Sequence, residues 1–133
     1  MTAAAAITRA AATMIAEANR AQRGADPRPQ DLFALARAAE QALDAVYALN
    51  ATLGAQLAGL GQDGRLRPGV HRTPEQVLAT ATGHGQALHE ALRQARRAAG
   101  QLAAEFAGPA FLPTPAPGQP DPEHNGVPSR AGI

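Results

Sequence analysis

PQDLFALARAAEQALDAVYALNATLGAQLAGL, residues 29–60, sets Leu32, Ala36, Ala39, Leu43, Val46, Asn50, Leu53, Leu57 and Leu60 at alternating steps of four and three. That alternation is a heptad repeat, the coiled-coil pattern in which one narrow stripe of a helix keeps facing a partner. It predicts a helix of about 30 residues, ~45 Å long at 1.5 Å per residue. Pro29 suits the first helical position, and Asp31 in the first turn opposes the positive end of the helix dipole. The Gly61-Gln62-Asp63-Gly64 cluster supplies the stop.

A second seam follows a connector that runs to Arg72. Thr73-Pro74-Glu75-Gln76 combines a threonine cap, a proline at the first helical position and a glutamine three residues after the cap. Beyond it Leu78, Ala81, Gly85, Leu88, Leu92, Ala95, Ala99, Leu102 and Phe106 repeat the three-and-four alternation. Two seams of similar length joined by a connector of this size fold back on each other, and the repeat implies antiparallel packing at about +20°. A single continuous rod would have to carry Gly59, Gly61, Gly64, Pro68 and Gly69 inside a helix, which their backbone preferences oppose.

Outward from the hairpin, residues 2–23 are alanine-rich, with Ile7, Met14, Ile15 and Ala18 on one helical face. A helix with so few large apolar residues is expected to depend on docking against the rest. Gly24 offers its stop, and Asp26-Pro27-Arg28-Pro29 is a stiff connector because residues before proline avoid the α region. After Gly108 the prolines at 109, 113, 115, 117, 120, 122 and 128 preclude a packed core. The expected organisation is all-α: one domain over 1–112, with helices about 2–23, 29–60 and 74–107 arranged like a three-helix bundle. A disordered or polyproline-II tail is expected over 113–133, with Phe111 and Leu112 folding back on the bundle end.

Composition agrees with helices packed on helices. The hydrophobic share is 45%, but it is mostly alanine, with 3% aromatic residues and no tryptophan, so the core must be thin. The formal net charge is +1, which selects no class of partner. Every Lys/Arg position is arginine, a codon bias suggesting a GC-rich, bacterial genome. No cysteine is present, so disulfides, thiolate nucleophiles and cysteine metal sites are excluded. No signal peptide or membrane span is read from the sequence, and a cytoplasmic location is the default expectation.

Chemistry-bearing constellations are scarce. His84 and His89 are five apart and diverge on a helix, His71 lies in the connector, and His124 lies in the tail; no metal set is expected. Glu40 and Asp44 sit one turn apart like a carboxylate pair. A hairpin folded near residue 66 instead brings Glu40 to Arg93 and Arg97, and Asp44 to His89 and Arg93, where ion pairs set register. Arg93, Arg96 and Arg97 are the densest basic cluster, but no aromatics interleave them and no helix-turn-helix surrounds them. Gly83 and Gly85 each cost about 1 kcal/mol against alanine inside a helix. Asn50 falls opposite them, implying either close helix approach with Asn50 fixing register or a notch for a further helix or partner. No cofactor loop is present, and Ser129, the lone serine, lies in the tail.

These readings make a non-enzymatic helical scaffold or protein-interaction protein the leading expectation, bound to a protein partner or to a second copy, with no cofactor. A DNA-associated accessory factor using the arginine faces ranks below it. Residues 29–107 also resemble the small helical-hairpin substrates and chaperone-like partners of type VII secretion in size, alanine content and lack of cysteine. The turn region Gly61 to Arg72 has no Trp-x-Gly, and Tyr47 is followed four residues later by Ala51 where that family's export signal carries an acidic residue.

Overall fold

The capping signal at Thr73 is realised fully in the computed structural model, which describes residues 1–69 and 71–111. The Thr73 hydroxyl accepts from the Gln76 amide at 3.2 Å, and the Gln76 side chain accepts from the Thr73 amide at 2.9 Å. Two amides that would otherwise lack intrahelical partners are thereby satisfied. Three helices result: α1 Ala3–Arg23, α2 Pro29–Gln62 and α3 Pro74–Phe106, with a 3-10 turn at Pro109–Phe111. No strand occurs among the described residues. The tail expected over 113–133 lies outside them.

Each helix end has a local cause. Thr2 caps α1 by accepting from the Ala5 amide at 3.1 Å. Helix α2 ends in a Schellman arrangement: Arg65 N–H donates to Leu60 O and Gly64 N–H to Gly61 O, with Gly64 at φ +64°. Only glycine takes that conformation without strain. After α3 the chain turns back so that Phe111 meets Phe106 edge to face, ring centroids 5.0 Å apart.

Helices α2 and α3 are antiparallel. Glu40 lies against Gly100, Asp44 pairs with Arg96, Tyr47 with His89, Asn50 with Gly85, and Gly61 with Leu78. At the closed end a Cβ on Gly61 would come within 2.5 Å of Leu78, so the glycine permits the close approach there. The core is thin, as the composition implies: Ala36, Leu92 and Ala103 are the buried residues among those described.

The seam differs in phase from the heptad reading. Val46, Leu53, Leu88 and Leu102 were expected inside it, yet they keep 44%, 55%, 48% and 53% of their surface exposed. Glu40 and Tyr47 turn inward in place of the exposed Ala39 and Val46, and on α3 His89 and the buried Ala103 replace Leu88 and Leu102. The inward positions still alternate steps of four and three, Ala36, Glu40, Leu43, Tyr47 and Asn50 on α2 and Gly85, His89, Leu92, Arg96, Ala99 and Ala103 on α3, so the buried stripe is rotated toward the Tyr47–His89 side with its spacing unchanged. With alanine on both sides of the stripe, little apolar bulk decides which positions turn inward.

Helix α1 does not take up the expected docking. It buries none of its residues, and Ile7, Met14 and Ile15 are 57–69% exposed. Among the described residues α2 and α3 are the helix pair that packs together.

Candidate functional site

Because the helices turn about 100° per residue and run antiparallel, the hairpin has two flanks of different chemistry. The ion pair Asp44–Arg96 and the pair Tyr47–His89 mark one flank as polar. Val46 and Leu53 on α2, and Leu88 and Leu102 on α3, fall on the opposite flank, together with Leu35 and the half-buried Leu49.

On the polar flank the Arg96 guanidinium reaches Asp44 while lying 4.2 Å over the Tyr47 ring. Such a cation–π contact adds to the ion pair and holds the guanidinium in place. The Tyr47 hydroxyl and His89 Nε2 are 2.9 Å apart, with ring centroids at 4.4 Å. One turn on, Asn50 Nδ2 donates to the Gly85 carbonyl at 3.2 Å. These contacts cross from α2 to α3 and fix which turn of one helix meets which turn of the other. Above them lies an open groove of about 310 Å³ lined by Asn50, Gly54, Leu57, Thr82, Gly85 and His89.

The individual residues expected to form a site are partly brought together. Asn50 and Gly85 meet directly, whereas Gly83 is exposed on the outer side of α3. Close approach does not account for the glycines: a Cβ at Gly83, Gly85 or Gly54 would meet nothing within 4 Å. Glu40 is taken by Arg37 one turn along its own helix at 3.0 Å, not by Arg93 or Arg97. Asp44 pairs with Arg96, not with Arg93. Arg93 is held by Glu90 at 2.6 Å, and Arg97 is exposed and enters no ion pair among the described residues. The opposed positions sit a few residues further along than a fold about residue 66 implies, because α2 continues to Gln62 before turning. Two of the three clustered guanidiniums are therefore engaged by carboxylates, which leaves the cluster less free for phosphate. Tyr47 and His89 were not singled out as a pair from the sequence, although the antiparallel register alone places them opposite each other.

Glu90 is the group whose titration departs most clearly from the ordinary. Hydrogen bonds from Arg93 and then Gln94 hold its carboxyl at about 2, down from an ordinary 4.5. A carboxylate stabilised in the folded helix favours folding fully above 4.5 and ceases to do so as the pH falls toward about 2. In an acid titration followed by circular dichroism, part of the helical signal should be lost across that interval. Glu90→Gln should lack that part, starting less helical at neutral pH and converging with the parent in strong acid. Equal curves for the two chains would mean that water already screens the pair.

Among the described residues no three His, Cys, Asp or Glu side chains come together, and no helix is long and apolar enough to cross a membrane. Comparison of the chain with protein-family models, curated proteins and solved structures finds no match.

Proposed function

We propose that this chain is a non-enzymatic helical interaction protein whose working surface is the leucine flank of the α2–α3 hairpin. The observation that supports the reading is the grouping of Leu35, Val46, Leu53, Leu88 and Leu102, each at least 40% exposed, on one side of a stiff pair of helices. Single exposed leucines are ordinary on any protein surface, but a contiguous apolar band is the signature of a partner site. The polar flank complements this role. Its crossing contacts, Asp44–Arg96, Tyr47–His89 and Asn50–Gly85, hold register, so the opposite flank is presented as a fixed surface.

The test compares the full chain with Leu53→Glu/Leu88→Glu, two changes at exposed positions that leave the buried Leu92 untouched. Sedimentation at high micromolar concentration should show the parent associating, or the parent should capture a partner protein from native extract. The double variant, equally helical, should do neither. If the parent neither associates nor captures anything that the variant misses, the interaction reading fails.

A further inference from the structure

The chain contains two apolar stripes without a cover, and the helix that carries one is about as long as the other. On α1, Ile7, Met14 and Ile15 share a face with alanines, while Arg9, Arg20 and Arg23 lie on the far side. The helix has 21 residues and so is ~31 Å long. On the hairpin, the band from Leu35 to Leu53 runs ~27 Å along α2 and is two helices wide, which forms a shallow trough for one more helix.

We propose that this trough is covered by α1 of a second copy of the chain, the two copies exchanging their first helices. The proposal rests on the interaction reading above and names its partner. The connector favours exchange over folding back. Pro27 and Pro29 keep Asp26 and Arg28 out of the α region, and Arg28 is extended at φ −104° and ψ 137°. In that conformation α1 leaves its own hairpin bare. A short hinge that holds an element away from its own chain is a general setting for exchange of that element between identical chains. The area also suffices. A helical strip of this length and about 10 Å width, counted on both sides of both arms, hides roughly 1,200 Å² in total, the lower edge of the range for specific interfaces. One arrangement thus covers both stripes, which a dimer of hairpins meeting face to face would not.

The absence of cysteine makes the test direct, since introduced thiols have no background. Full-length Ile15→Cys and Val46→Cys chains place thiols near the middle of the two stripes, so contact is expected whichever way the arm runs. Mixed and treated with a short bismaleimide, they should give a crosslinked heterodimer, and Arg9→Cys, on the far face of α1, should not replace Ile15→Cys. Independently, Ile7→Asp/Ile15→Asp should weaken dimerisation about a hundredfold in sedimentation while leaving the α2–α3 hairpin helical. Closure of an Ile15→Cys/Val46→Cys double variant at monomer mass would overturn the proposal by showing that the arm folds back. Dimers linked through Val46→Cys alone, insensitive to the α1 changes, would overturn it while leaving the interaction reading intact. A parent that stays monomeric would overturn it too, and the capture experiment would then decide the broader reading separately.

Discussion

Leu92→Ala should destabilise the chain by about 2–4 kcal/mol, read as a lower urea midpoint with an equally helical starting signal. Among the described residues Leu92 is the one large side chain that is buried; its companions Ala36 and Ala103 have little to lose. Truncating it removes the transfer free energy of three carbons and leaves a gap that two long, stiff helices close only partly. Domains of this size are stable by only about 5–15 kcal/mol, so the change takes away a large share of the total. Val46→Ala is the matched comparison. The heptad reading put Val46 inside the seam, whereas the structure leaves it 44% exposed, so at concentrations where the chain is monomeric its truncation should cost under about 1 kcal/mol. Equal losses at the two positions would mean that Val46 faces the seam in solution as Leu92 does.

The opposite sign is expected from Gly54→Ala/Gly83→Ala/Gly85→Ala, which should raise stability by roughly 1.5–3 kcal/mol. All three glycines are helical, and a Cβ at each would meet nothing within 4 Å. Alanine would therefore restrict the unfolded chain without crowding the folded one. The Asn50 bond to the Gly85 carbonyl uses the backbone and survives the change. Gly61 is the contrasting case, because its Cβ would come within 2.5 Å of Leu78 and Ala there should not be stabilising. Thermal unfolding of the triple variant and of Gly61→Ala, side by side, checks both halves of the argument; a triple variant that melts below the parent would refute it.

The elements were legible because their signals are local. Thr73-Pro74-Glu75-Gln76 states where α3 starts, Gly64 states where α2 cannot continue, and two apolar repeats of equal length imply a hairpin. The phase of the seam was not legible, because two stripes one position apart both alternate steps of three and four along these helices. Alanines on every side of α2 and α3 then fail to say which. Glu40 and Tyr47 read as flanking residues in one phase and face inward in the other. The ion pairs were missed for a related reason. Glu40 has Arg37 one turn away, and a local partner forms with less loss of chain entropy than a distant one. The position of α1 depends on the backbone of the Asp26–Pro29 connector, about which apolar periodicity carries no information.

The Gly64 turn also fixes the order in which the hairpin can assemble. Contacts next to it, such as Gly61 with Leu78, join residues close in sequence, while Glu40 and Gly100 at the other end are far apart along the chain. Loop closure is entropically cheapest near the turn and each further contact shortens the loop left to close, so the two helices zip from the turn outward. Amide protection against deuterium exchange, which follows packing and not order of assembly, should be greatest in the paired turns around Ala36, Leu92 and Ala103, and the first helix should exchange fastest of all while it remains uncovered.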